Sequence, residues 1–166
     1  LGLFSLTPLG VAGGIFVMLA HGLSTGALFL LVGVIYERRH TREIAEFGGL
    51  AHGMPMYAAV FMIVTLASIG LPGLCGFVGE FLVLVGVFKY AKVFAVIISL
   101  GIVLGAAYLL WMYQRTMFQQ ANEKWASLKD LSVREIITLV PLVALAFWIG
   151  IYPHTFLEVL HAPVEN

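Results

Sequence analysis

The stretch that most restricts how this chain can fold is Leu66–Phe81, LASIGLPGLCGFVGEF. It lies between two apolar runs and holds Glu80, the one carboxylate too deep in them to reach a membrane edge. Proline removes a helix hydrogen bond and glycine relaxes the backbone, so Gly70, Pro72, Gly73 and Gly76 are expected to break the helix just before the acid. In lipid, such a break survives only where protein or a water-filled cavity covers it. An ionisable side chain beside a break at membrane depth is therefore a candidate ion site.

The rest of the chain supplies the membrane. It is 61% hydrophobic and 11% charged, where a soluble domain is about half apolar and a quarter charged. The apolar runs are too long and continuous for barrel strands, so the class is a helical, multi-pass integral membrane protein. The net charge is zero, and nothing suggests nucleic acid. With Cys75 the single cysteine, no intrachain disulfide forms and the compartment is not legible from it. The first residue is Leu1, with no basic segment of the signal-peptide kind. The chain therefore reads as an internal start, a piece of a longer protein.

Taken in order, Leu1–Ala12 is punctuated by Gly2, Pro8 and Gly10 and is expected to be a loop at the membrane surface. Residues 14–36 form the first span, close to the ~20 that a bilayer needs. Residues 37–53 are aqueous, with a short amphipathic turn from Thr41 to Phe47 ended by Gly48-Gly49. Residues 55–88 are too long for one straight crossing and too short for two. One crossing made of two half-helices, 55–69 and 77–88, fits, with Glu80 in the first turn of the second half near mid-depth. Residues 93–113 and 133–152 complete a bundle of about four crossings, Pro141 being expected to kink the last. A polar surface helix is allowed between 114 and 134, and 153–166 reads as a tail. Trp111, Tyr113 and Tyr152 read as interface anchors. No internal repeat is visible, and residues 1–166 form a single membrane domain.

Charge sidedness supports the single broken crossing. With it, Arg38, Arg39, Arg42, Arg115, Lys124, Lys129 and Arg134 share one side, and only Lys89 and Lys92 lie on the other. Two crossings would divide the cations evenly. The excess marks the inner side and puts both termini of the chain outside.

Few residues can carry chemistry. Burial in a low-dielectric region disfavours the charged carboxylate and a helix N-terminus favours it. At Glu80 the two effects oppose each other, which suits a group that loads and releases a proton. The plainer alternative is a neutral glutamic acid tying helices together. His21 lies on the same outer half, and imidazole both gives and takes a proton near neutral pH. Ser24 and Thr25, three and four residues on, share its helix face and can line a water path. A histidine hydrogen-bonded within the bundle is the alternative. Lys89 and Lys92 can snorkel to headgroups or help a proton leave. His40, His52, His154 and His161 have no metal-ligand spacing, so no metal site is expected. Nothing suggests a nucleotide, flavin or iron–sulfur site in this chain.

His21-Gly-Leu-Ser-Thr-Gly-Ala-Leu-Phe29, Tyr36-Glu-Arg-Arg-His-Thr-Arg42, Gly48-Gly-Leu50, Leu71-Pro-Gly73 and Phe77-Val-Gly-Glu-Phe81 resemble one family. It is the antiporter-like membrane subunits of proton-pumping NADH:quinone oxidoreductase, respiratory complex I. The likeness runs from about His21 to Arg115, and the nearest branch is subunit 4, chain M in bacteria. It implies an inverted-repeat fold, of which this chain is the C-terminal part. Glu80 then falls on the glutamate of the second broken helix, where sister subunits usually carry lysine, and His21 on the histidine of the preceding helix. The family's upstream glutamate and lysines have no counterpart here.

Under this resemblance protons pass between buried carriers through ordered water, coupled to electron transfer from NADH to quinone. NADH, FMN, iron–sulfur clusters and quinone are implied in partner subunits, with no cofactor in this chain. The partners implied are neighbouring membrane-arm subunits and the lipid bilayer. A bacterial plasma membrane is expected ahead of the mitochondrial inner membrane. A multi-subunit cation/proton antiporter or an energy-converting hydrogenase membrane subunit is the alternative in the same fold. A structural membrane scaffold is the alternative of another class.

Overall fold

A computed structural model describes residues 1–119 and 128–165, and within them every regular element is helical. After a 3-10 turn at Leu3–Ser5 comes α1 (Pro8–Arg39), then α2 (Leu50–Gly53), α3 (Pro55–Ser68), α4 (Cys75–Tyr90), α5 (Lys92–Met117), α6 (Val133–Ile151) and α7 (His154–Glu165). α1, α5 and α6 are each long and apolar enough to cross a membrane.

α1 begins earlier than its hydropathy indicates. Thr7 accepts a hydrogen bond from the Gly10 amide at 3.1 Å and Pro8 occupies the first helical position, which is a favoured way to start a helix. The expected surface loop over Leu1–Ala12 is therefore only its first half. Gly2 and Gly10, which suggested a loop, serve packing instead. A Cβ on Gly2 would press on Val83, and one on Gly86 would press on Gly10, as one on Gly13 would on Leu82 and the Val83 amide. Small residues let two membrane helices approach closely, and α4 packs more extensively on α1 than on any other described element.

α3 and α4 follow one another along α1, as the two halves of a single broken rod. Tyr57 hydrogen-bonds the Leu31 carbonyl at 3.2 Å, and Ala67 and Cys75 share a buried cluster with Ala20. Gly79 lies against Val17, and Gly86 against Gly10. Reading 57 to 86 thus descends α1 from 31 to 10 without reversal, so the two halves lie end to end.

The break is built from two turns. Gly70, at φ +75°, stands just past the C-cap of α3. Its amide bonds the Ala67 carbonyl at 3.4 Å and the Leu71 amide bonds the Leu66 carbonyl at 3.0 Å, the double closure of a Schellman motif. Leu74 then donates to the Leu71 carbonyl at 3.0 Å, with Pro72 and Gly73 between them and Gly73 at φ +92°. That is the residue pattern of a type II turn. The Gly70, Leu71 and Leu74 amides thereby find partners within the break.

Other expectations change. α4 starts at Cys75, so Glu80 lies in its second turn, not its first. The helix-terminus field, which fades within one turn, acts on it less than anticipated. Tyr113 is no interface anchor: it is buried, and its hydroxyl bonds the Ala58 carbonyl at 3.0 Å. Trp111 does lie exposed, with the Arg115 guanidinium 4.8 Å over its ring. The tail is helical from His154, where Trp148 and Phe156 meet edge to face at 6.0 Å. α6 runs continuously through Pro141. Of the surface helix allowed between 114 and 134, residues 120–127, Lys124 among them, lie outside the described residues, while 114–117 end α5, 128–132 are not helical and 133–134 open α6.

Gly79→Leu is a direct test of this packing. A Cβ there already presses on the Val17 amide, so leucine must force α4 off α1 at a cost of about 3 kcal/mol. The expected outcome is loss of the assembled subunit on a native gel.

Candidate functional site

Glu80 sits where α1, α3, α4 and α5 converge. A Cβ on Gly70 would collide with its Oε2, so the carboxylate rests directly on the glycine that closes α3. Two cavities, of about 310 Å³ and about 430 Å³, both have Glu80 in their walls. The first is otherwise apolar, walled by Gly14, Val17 and Met18 of α1 and by Ile98 and Ile102 of α5. The second runs along α5 past Gly101 and Gly105 towards Tyr108, and includes Ser68. At about 30 Å³ per water molecule, each has room for several.

Among the described residues Glu80 has no hydrogen-bond or ion-pair partner. Glu80 thus stands at the meeting of two cavities, with no hydrogen-bonding partner from the described residues. Level with Gly14–Met18, it lies roughly 11 Å from the midpoint of α1 at 1.5 Å rise per residue, on the side where α1 begins.

His21 is not in the wall of either cavity. It continues the α1 stripe of Gly14 and Met18 by one turn and is exposed on the described chain. Thr25 Oγ1 lies 3.3 Å from its ring nitrogens. Ser24 does not share that face. It is buried, and its hydroxyl donates to the His21 carbonyl at 3.5 Å. The three residues therefore divide, His21 with Thr25 outward and Ser24 inward. Lys89 and Lys92 are exposed at the opposite end of the bundle from Arg38, with the Lys92 ammonium 5.8 Å over the Phe88 ring. Among the described residues no three His, Cys, Asp or Glu side chains gather as a metal would need.

Sequence reasoning missed Ser68 and Thr65, both within six residues of the break. Thr65 is 0% exposed and its hydroxyl has no hydrogen-bond partner. Their place in the last turn before Gly70 was the available signal. It also missed the cluster at the other end of α3. There Arg38 makes a two-pronged ion pair with Glu135, at 2.8 and 2.9 Å, and Asp130 meets the first amides of α3. Only the capping box Ser132–Glu135 was readable as a local pattern.

Gly70→Ala should both strain the backbone and displace the carboxylate. A non-glycine residue at φ +75° costs about 2 kcal/mol, and the expected result is a matching loss in thermal unfolding of the assembled protein.

Comparison with known proteins agrees with this geometry. The family described as NADH:quinone oxidoreductase/Mrp antiporter, TM, matches residues 1–105. NADH-quinone oxidoreductase subunit M of Rickettsia prowazekii (strain Madrid E) is 47% identical over all of this chain. The chain spans about a third of the length of the curated relatives it matches, 34% in that case. Respiratory complex I from Thermus thermophilus contains a chain that superposes with a TM-score of 0.93 at 40% identity, over 99% of this chain and 34% of that one. An archaeal membrane-bound sulfane sulfur reductase contains another, with a TM-score of 0.82 at 28% identity, over 89% of this chain and 24% of that one. A broken helix carrying an acid, a fold shared with these assemblies and a family match over more than half the chain lead to one assignment: this chain belongs to the NADH:quinone oxidoreductase/Mrp antiporter family of transmembrane proteins.

Proposed function

We propose that this chain is part of a membrane-arm subunit of a proton-translocating NADH:quinone oxidoreductase, of the subunit M type, and that Glu80 is its terminal proton carrier. The observation that carries the reading is a carboxylate at the junction of two cavities, unpartnered among the described residues and resting on the glycine of the helix break. Such a group exchanges its proton with whatever water or carrier enters, whereas a tie between helices would be hydrogen-bonded.

Charge coupling drives the step. As neighbouring buried groups gain or lose protons, the free energy of protonating Glu80 changes with them. His21, outward on α1 and one turn beyond the cavity wall, relays protons from the upstream part of the subunit, with Thr25 holding its ring. The cavity beside Ser68 and Tyr108 supplies water positions. Lys89 and Lys92 stand at the end to which α4 leads and assist release there. The electron transfer that powers this, with NADH, FMN, iron–sulfur clusters and quinone, takes place in partner subunits. The chain's contribution to the enzyme is translocation. The membrane is a bacterial plasma membrane, with Leu1 and the Lys89 end of the bundle outside and the Arg38 cluster inside.

A second reading, a subunit of a cation/proton antiporter or of a hydrogenase-like complex, draws on the breadth of the family description and on the sulfane sulfur reductase likeness. A glutamate at position 80, where such antiporter subunits usually carry lysine, favours the first. The test is Glu80→Gln in the assembled complex, with native-gel assembly measured beside proton pumping per electron. Intact assembly with reduced pumping supports a carrier. Parallel loss of both supports a scaffold, and full pumping excludes the role.

A further inference from the structure

We propose that Asp130 is a positioning residue for Glu80, acting through α3 from the far end of the broken helix. α3 has no N-cap of its own, because Met54 occupies that place and its side chain makes no cap bond. The cap comes instead from the connector between α5 and α6. Asp130 Oδ2 accepts from the Met56 amide at 2.8 Å, and Oδ1 from the Tyr57 amide at 3.0 Å and from Leu131 at 2.8 Å. Pro55 has no amide hydrogen and the Met54 and Ala58 amides bond the Leu50 and Met54 carbonyls, so the two amides left open in the first turn are both satisfied from more than seventy residues away in sequence.

The connector is itself held. Arg38 Nε donates to the Lys129 carbonyl at 3.0 Å, and its Nη2 to the Asp130 carbonyl at 3.2 Å. Asp130 therefore bolts the start of α3 to the end of α1. The remaining packing of α3 in this region is apolar, from Ala58, Phe61 and Val64, with Tyr57 and Tyr113 supplying single hydroxyl bonds. Apolar packing is non-directional, so axial register at this end falls to the two hydroxyl bonds and to the carboxylate, which is the one group among them that holds the first amides of α3. The far end of α3 is the Gly70 closure, and Gly70 is the surface on which the Glu80 carboxylate rests. A shift at Met56 is transmitted along a stiff helix of 14 residues to that contact.

This inference rests on the reading of Glu80 as a proton carrier only for its functional consequence. Its structural consequence is measured separately. In the intact complex, hydrogen–deuterium exchange is followed in Asp130→Ala, Asp130→Asn and the control Lys129→Ala, whose carbonyl alone is used. Asp130→Ala is expected to raise exchange at residues 55–58 about fivefold, the effect of losing one cap, and also at 69–76. α5 and α6 should stay unchanged. Asparagine, a competent cap, should restore both segments, and Lys129→Ala should alter neither. Faster exchange at 55–58 with none at 69–76 overturns the proposal, as does loosening of α5 and α6 to the same degree. Where alanine prevents assembly, Asp130→Glu takes its place, with the same two segments expected to respond and the same contrary results. If both segments respond while pumping per electron is unchanged, the positioning stands and the carrier role of Glu80 fails.

Discussion

Glu80→Gln is expected to abolish proton movement through this subunit while leaving the complex assembled. Glutamine keeps the shape of the side chain, and the carboxylate has no hydrogen bond or ion pair within the described chain to lose. The stability change should stay within about 0.5 kcal/mol, as at a site without specific interactions. The rate of proton transfer is another matter. A positioned acid or base contributes about 10²–10⁴-fold to a proton transfer, and the amide can neither load nor release. Pumping per electron in reconstituted vesicles should fall accordingly, with normal subunit content on the same preparation. Glu80→Asp should be intermediate: it keeps the acid but withdraws it by one methylene from Gly70, the surface that now positions it.

The second large effect is expected at Arg38. Its guanidinium pairs with both oxygens of Glu135 and takes the carbonyls of Val34, Lys129 and Asp130. The two side chains of the ion pair are 17% and 10% exposed, so water replaces little of what is lost. Arg38→Met should destabilise by about 3–5 kcal/mol, the usual cost of stranding one partner of a largely buried pair. Because much of that is the penalty of an unpaired Glu135, adding Glu135→Met should recover part of it. Thermal unfolding of the singles and the double, read as a cycle, checks the sign. A double mutant as unstable as the sum of the singles would contradict the assignment. The surface pair Arg134–Glu37, at 3.8 Å and largely exposed, should contribute less than about 1 kcal/mol by the same measurement.

The broken helix was legible because its signals are local and covalent. Gly70, Pro72 and Gly73 dictate backbone geometry by themselves, and the length of 55–88 excluded other readings. Glu80 stood out as a candidate for a related reason, since an acid inside an apolar run has no alternative place to go. What was not legible depends on neighbours. Gly2 and Gly10 looked like loop signals until Val83 and Gly86 of α4 were seen to need their missing side chains. Tyr113 has an interface anchor's sequence position, but its hydroxyl finds the Ala58 carbonyl inside the bundle. Ser24 and His21 are three residues apart, yet the width of a helix face lets one turn inward and the other out. Asp130 could not be tied to α3 by any pattern, because a cap supplied across the fold leaves no trace in the sequence beside the helix.

The central claim is that the break shelters an acid that changes protonation within the membrane. Redox-triggered infrared difference spectroscopy on the intact complex, wild type against Glu80→Gln, tests it most directly. The account predicts a carboxylic acid band that rises and falls with turnover, shifts in deuterium oxide and is missing from the variant. Identical difference spectra from the two proteins would contradict it.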